Sequence, residues 1–152
     1  MATSIVTHVV QVATEQVRIP VARGRVERVV ASVLRAERVR NAEVSVTFVT
    51  NRRMAALNRR HLGHAGATDV LSFGFAPVAA GALVTGDIYI APAVARRNAL
   101  AHGAGIREEL LRLVVHGTLH VLGHDHPTDD ARTASPMWRR QERLLLRTLR
   151  SA

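Results

Sequence analysis

The chain has 152 residues, 47% of them apolar, which suits one domain with a single core over residues 1–152 and argues against disorder. The absence of cysteine excludes disulfide bonds and thiolate ligands. No secretory signal and no apolar run near the ~18 residues that span a membrane are present, so we expect a cytoplasmic protein. The net charge is +9 and all 21 basic residues are arginine, which favours a nucleic-acid partner over a merely solvated surface.

The spacing of apolar residues predicts elements in the order β-α-β-α-β-β-α-α-α. Strands are predicted at Val6–Val12, Glu43–Val49, Thr68–Phe75 and Leu83–Ile90. Helices are predicted at Val21–Val39, after a cap at Thr50 or Asn51, at Pro92–His102, around His116, and at Met137–Arg150 after the cap Ser135. In the last helix the predicted apolar face consists of Trp138, Leu144, Leu145 and Leu149. Because this order is not the regular alternation of a doubly wound fold, we predict an α+β domain in which about five helices pack on a small mixed four-stranded sheet.

The segment from His116 to His126 predicts a metal site at the end of a central helix. His116 and His120 are four residues apart, so they lie one turn apart on one helix face and both can reach a single ion. Gly123 can adopt the left-handed backbone that ends a helix, and the returning chain would bring His126 to the same ion. Three protein ligands with an open fourth position are typical of catalytic zinc, so we predict one zinc ion per chain. The alternative, scattered histidines on a mostly apolar helix, would leave buried imidazoles without partners.

The residue after the first histidine bears on the reaction. Metzincin peptidases share the H-x-x-x-H-x-x-G-x-x-H spacing but place there a glutamate that serves as general base. This chain has Gly117 at that position, which cannot move a proton. A peptidase would need its base from elsewhere, so a zincin-like metallopeptidase is the less favoured alternative.

Three ordered blocks carry a resemblance to one known family. The blocks are Leu57-Asn58 with Thr68 to Phe73 (T-D-V-L-S-F), Gly86 to Ile90 (G-D-I-Y-I), and His116 to His126. Met137 and Glu142 also fall where that family has a methionine and a glutamate in its final helix. Over most of its length the chain resembles the YbeY family of bacterial endoribonucleases, the rRNA maturation factors.

The resemblance implies a zinc-dependent endoribonuclease that cleaves single-stranded RNA. It implies zinc held by His116, His120 and His126, with activity in maturation of the 3′ end of small-subunit rRNA and in ribosome quality control. The implied partners are rRNA and the small ribosomal subunit. Because no general base stands beside the zinc in the sequence, a metal-stabilised rRNA-binding assembly factor with little catalysis remains the alternative.

Four further residues are candidates for catalysis. Asp125 could orient a ligand imidazole or move a proton, or it could cap the turn after Gly123. We expect His124 to be exposed to solvent rather than to bind the metal, which leaves it available as an acid or base. Ser72 and Asp69, on opposite faces of one predicted strand, could line the cleft or make bonds to backbone.

The chain departs from the family pattern at three places. His124 replaces the tyrosine of G-Y-D-H, and Gly74 replaces the proline after V-L-S-F. The positions of a tyrosine–arginine pair in many members hold His61-Leu62. Arg59 or Arg60, a helical turn or less away, is therefore the candidate for RNA binding.

Overall fold

One mixed sheet of four strands organises the protein. The computed structural model describes residues 5–63, 66–75, 79, 81–126 and 133–150. The strands are β1 (Thr7–Thr14), β2 (Asn41–Phe48), β3 (Val70–Phe75) and β4 (Val84–Ile90), in the spatial order β1-β2-β4-β3. β1 runs parallel to β2 and β2 parallel to β4, whereas β3 is the antiparallel edge strand beside β4. The predicted mixed four-stranded sheet is confirmed.

Five helices lie among the described residues. They are α1 (Arg23–Ala36), α2 (Asn51–Leu62), α3 (Pro92–His102), α4 (Ile106–Val121) and α5 (Pro136–Arg150). Both predicted caps are present, because the hydroxyl of Thr50 accepts the Arg53 N–H at 3.1 Å and that of Ser135 accepts the Trp138 N–H at 3.2 Å. None of the described helices is long and apolar enough to cross a membrane.

The sheet separates two apolar clusters. On one face, α1 and α4 cover the side chains of β2 and β4 that include Val46 and Ile88, both fully buried. On the other face, Leu71 of β3 packs with Met54 of α2. Since successive strand residues point to opposite faces, Ser72 turns toward α4. The histidine helix α4 therefore lies inside the main core and not at the periphery.

The buried face of helix α5 differs from the predicted one at Leu149. Leu149 is 37% exposed, whereas Thr148 and Gln141 are buried along with Leu144 and Leu145. The buried positions follow the helical repeat from Met137, which leaves Leu149 outside the stripe. A polar residue, Gln141, thus lies in the middle of a packed helix face.

Helix α4 approaches β3 and β4 more closely than side chains would allow. A Cβ atom on Gly117 would lie 2.7 Å from Cγ2 of Ile88, and one on Gly74 would lie 2.8 Å from the carbonyl oxygen of Val121. A Cβ on Gly86 would overlap the side chain of Val121. Glycines at these three contacts let the helix rest directly on the strands, and this fixes the position of the histidines.

Candidate metal centre

Three imidazoles converge at the carboxyl-terminal end of α4. Each of His116, His120 and His126 offers a ring nitrogen, and these atoms all lie within 4.8 Å of one another. The ring centroids form a nearly equilateral triangle with sides of 4.6, 5.0 and 5.0 Å. The prediction that these side chains meet is confirmed, and the group could hold a metal ion.

The end of α4 directs the chain back toward the cluster. Gly123 has a φ of +96°, the left-handed conformation predicted for it. The Gly123 N–H donates to the carbonyl of His120 at 2.9 Å, and the His124 N–H donates to that of Leu119 at 3.0 Å. These two bonds make a Schellman motif, which reverses the chain within three residues. His126 reaches the other two rings as a result.

Gln141 of α5 fixes the orientation of the first histidine. Its amide oxygen lies 2.5 Å from Nδ1 of His116. Because an amide oxygen only accepts, Nδ1 carries the ring proton and Nε2 presents its lone pair to the cluster. Nε2 of His116 is 3.3 Å from Nε2 of His126. Two nitrogens bound at about 2.0–2.1 Å to one tetrahedral ion would be separated by about this distance, so the residues fit zinc.

A chain of polar contacts continues outward from Gln141. Its amide N–H donates to Glu142 at 3.1 Å, and that carboxylate accepts from Arg112 at 3.1 Å. Arg112 also donates to Glu109 at 2.8 Å. The ion pairs join α4 to α5 and hold the amide of Gln141 in one orientation. Gln141 was not identified from the sequence as part of the site. The signal that could have identified it is a glutamine within the apolar stripe of a helix.

The protonation of His120 also suits metal binding. Burial of the ring, and then the nearby charge of His126, lower the pKa of His120 below its ordinary value of 6.5. The neutral imidazole is the form that binds metal, because a protonated ring has no free lone pair. The folded protein thus favours the ligating state.

His124, expected to be exposed and not to bind the metal, is partly exposed and contacts a carboxylate. Its side chain is 34% exposed, and its Nε2 makes a short contact with a carboxylate oxygen of Glu37 at the end of α1. The other oxygen of Glu37 accepts from Arg140 of α5 at 2.9 Å. His124 therefore ties the loop after α4 to two helices and does not join the cluster of ligating atoms.

Asp125 makes a local contact within the same loop. Its carboxylate accepts the backbone N–H of His126 at 2.8 Å, and its side chain is otherwise exposed. Of the two roles considered from sequence, this contact supports the one in the turn, because it binds backbone and not a ligand imidazole. The bond acts on the backbone that carries the third histidine.

Asp69 and Ser72 take separate positions around α4. Asp69 accepts from the Asn98 amide of α3 at 3.3 Å and lines a cavity that His116 also lines. Ser72 lies under the helix, where its hydroxyl would be 3.2 Å from a Cβ at Gly117. Asp69 thus lines this cavity together with His116, whereas Ser72 is partly buried beneath α4.

Arg59 and Arg60 are exposed near the end of α2. That helix packs on the face of the sheet opposite α4, through Leu57 and Met54. The edge strand β3 therefore separates these arginines from the three histidines. An RNA strand that contacts both would have to pass around this edge.

The fold and the cluster together define a small α+β protein whose three converging histidines resemble hydrolytic metal sites. Residues 10–149 match the family described as Endoribonuclease YbeY. The chain belongs to the YbeY endoribonuclease family.

Individual relatives agree with this assignment, and one solved structure shares the fold. The chain is 39% identical over 132 residues to Endoribonuclease YbeY of Geobacillus kaustophilus, covering 80% of this chain and 83% of the relative. It is 39% identical over 113 residues to the protein of the same name from Thermus thermophilus, covering 70% and 78%. The solution structure of TM1509 from Thermotoga maritima has a TM-score of 0.60 at 22% identity, covering 91% of this chain and 88% of that one, and so shares the fold.

Proposed function

We propose that this chain is a zinc-dependent endoribonuclease that cleaves single-stranded RNA in the cytoplasm. Its proposed substrate is rRNA of the small ribosomal subunit, whose 3′ end it would mature, with a role in ribosome quality control. The observation that carries the proposal is the convergence of three imidazoles, whose ligating nitrogens lie within 4.8 Å of one another, in a member of the YbeY family. The net charge of +9 supports a polyanionic substrate.

Zinc is the proposed ion, with His116, His120 and His126 as its ligands. Three neutral imidazoles suit zinc better than magnesium or calcium, which prefer oxygen ligands, although nickel and copper also bind such sets. When bound, the ion would supply a Lewis acid for the scissile phosphoryl group and would acidify a water molecule. Because Gln141 holds the ring proton of His116 at Nδ1, Nε2 is the nitrogen that would bind the ion.

The loop residues have a positioning role in this proposal. His124, bound to Glu37, and Asp125, bound to the His126 N–H, would hold the third histidine in place. Asp69, beside His116 in the cavity wall, is the residue we propose to contact substrate. Ser72 supports α4 from below. Arg59 and Arg60 would bind the RNA backbone farther from the cleaved bond.

Two nucleophiles are compatible with this site, and the products distinguish them. Attack by the RNA 2′-hydroxyl would displace the 5′-oxygen and leave a 2′,3′-cyclic phosphate and a 5′-hydroxyl. Attack by water would leave an acyclic phosphate at one end. Analysis of the product ends, together with an all-deoxy strand of the same sequence, assigns the route. Cleavage of the all-deoxy strand excludes the 2′-hydroxyl.

The decisive experiment compares wild type with His120→Ala on a single-stranded RNA. The variant should lose cleavage while its circular dichroism remains that of the wild type. A matched control is His8→Gln on β1, whose histidine Nε2 lies 2.7 Å from the Val39 carbonyl, since glutamine keeps a donor there. This control should cut at the wild-type rate. Equal degradation by wild type and His120→Ala would identify a contaminating nuclease and refute catalysis.

A second candidate function follows from the composition of the site. Among the described residues the ligating group contains histidines alone, and Gly117 stands where a base would be expected. A metal-stabilised rRNA-binding assembly factor with little catalysis would have such a site. It predicts rRNA binding without cleavage. The peptidase alternative is not retained, because the chain belongs to an endoribonuclease family. The glutamate base of such peptidases would stand at Gly117, where any side chain would collide with Ile88.

The identity of the ion is tested separately. Elemental analysis of the purified protein should find about one zinc per chain, and a variant with all three histidines replaced by alanine should contain none. Retention of zinc by that variant would place the ion elsewhere. Nickel or copper in place of zinc would correct the ion and keep the ligands.

A further inference from the structure

A cavity of about 390 Å³ opens next to the metal cluster, between α3, α4 and α5. His116 belongs both to the cluster and to the cavity wall. The volume falls within the range of about 300–1,000 Å³ that is typical of sites for small ligands. A group that occupies this cavity would therefore lie beside any phosphate at the metal.

The walls of the cavity combine a flat aromatic surface with polar groups. Trp138 of α5, half-buried, lies along one wall with Gln141 and the apolar Leu113. Asp69 and Asn98 lie along another part and are joined by a hydrogen bond of 3.3 Å. An aromatic plane and an acceptor carboxylate in one cavity suit a planar ring with N–H donors.

The charges in the wall disfavour a phosphate. The guanidinium of Arg112 is held by Glu109 at 2.8 Å and by Glu142 at 3.1 Å, so its charge is balanced within the protein. Asp69 and Glu109 add carboxylates to the lining. An anion placed here would meet these negative groups, whereas a neutral base would not.

We propose that the cavity binds one nucleobase of the RNA, from the nucleotide next to the cleaved phosphate. The ring stacks on Trp138, and an exocyclic amino group donates to the carboxylate of Asp69. The subsite therefore prefers adenine, cytosine or guanine to uracil, which has no exocyclic amino group and whose ring N–H lies between two carbonyl oxygens that a carboxylate would repel. This proposal rests on the proposed function, because it takes RNA as the substrate.

The chain provides its own reporter for this subsite. Trp138 is its single tryptophan, so the tryptophan fluorescence of the protein comes from the cavity wall. Cytidine and uridine monophosphate form the sharpest pair of probes, since they share one ring size and differ at the amino group. Ribose 5-phosphate controls for binding through the phosphate alone. Emission is corrected for light absorbed by the nucleotides.

In the metal-loaded protein, cytidine monophosphate should quench the emission saturably and bind about tenfold more tightly than uridine monophosphate, as one hydrogen bond to a charged group predicts. Ribose 5-phosphate should leave the emission unchanged. Asp69→Asn should bring the two nucleotides to within about threefold of each other, because the carboxylate is lost. Arg143→Ala, at an exposed position on the same helix, should keep the wild-type ratio.

A cleavage assay tests the same subsite without the fluorophore. Strands that differ in one base beside the cleaved bond should be cut with a preference for amino-bearing bases. Trp138→Phe, which keeps an aromatic plane, should retain the preference, and Trp138→Ala should lose it. Circular dichroism verifies that each variant is folded.

The outcomes separate the subsite from the proposed function. Saturable, base-selective quenching by a protein that cuts no RNA supports the subsite and refutes the nuclease. Cleavage of RNA without any quenching refutes the subsite and leaves the nuclease. Equal quenching by both nucleotides and ribose 5-phosphate identifies a phosphate site and overturns the proposal.

Discussion

The side-chain oxygen of Gln141 and Nδ1 of His116 are 2.5 Å apart, so a residue of the last helix determines the tautomer of a metal-binding candidate on α4. Metal-binding histidines commonly donate their second ring N–H to such a partner, which raises the basicity of the ligating nitrogen. Helix α5 is thus part of the site even though none of its described residues belongs to the group of ligating atoms.

Replacing Gln141 with leucine should weaken zinc binding by about 10- to 100-fold, the usual effect of losing such a partner. Leucine keeps the volume of the buried position but accepts no hydrogen bond. Competition with a fluorescent chelator measures the affinity. Gln141→Glu, which keeps an acceptor, should remain near wild type, and an equal loss in both variants would contradict the role assigned to this bond.

Glu37→Gln should loosen the loop that carries His126. The carboxylate binds both His124 and Arg140, so its neutral replacement weakens one contact to the loop after α4 and one to α5. We expect a loss of about 1–2 kcal/mol in the free energy of unfolding, measured with urea, and weaker zinc binding. The control Glu27→Gln changes an exposed glutamate of α1 and should alter neither quantity.

Gly117→Ala should destabilise the protein although alanine is the better helix former. The added Cβ would lie 2.7 Å from Ile88, which is fully buried, and overpacking of this kind costs about 1–3 kcal/mol. Thermal unfolding of the metal-free protein measures the change. Gly24→Ala in α1, whose Cβ would meet only Arg28 at an ordinary distance of 3.4 Å, should be neutral or stabilising. A Gly117→Ala variant that is as stable as the wild type, or more stable, would refute the close packing.

The stability of the metal-free protein should fall on acidification. Because the pKa of His120 in the folded state lies below its ordinary value of 6.5, the unfolded chain binds more protons at this residue. The contribution of His120 to the free energy of unfolding is fully present above pH 6.5 and decreases as the pH falls below that value. Urea unfolding at a series of pH values should show this slope. His120→Gln should flatten it, whereas His102→Gln, at an exposed position, should leave it unchanged.

The local elements and the metal motif were accessible from the sequence because both depend on spacing. Apolar residues at helical or alternating intervals predicted the order of strands and helices, and polar caps such as Thr50 marked helix starts. The four-residue interval of His116 and His120 and the turn at Gly123 predicted the converging rings. These features depend on residues only a few positions apart, so they can be read directly from the sequence.

The partners of those residues were not accessible in the same way. Gln141 is 25 positions from His116 and Glu37 is 87 from His124, and each pair meets only through helix packing. His124 is only partly exposed for that reason. The close approach of α4 to Ile88 explains why residue 117 is glycine. The sequence alone did not reveal this steric reason.

The sequence by itself determined which side chains can bind a metal, because ligand type and helical spacing are local properties. Only the tertiary structure decided how those side chains are held, which of their nitrogens carries a proton, and what space opens beside them. Hydrogen bonds and cavities form between elements distant along the chain, and the packing of α1, α4 and α5 brings those elements together.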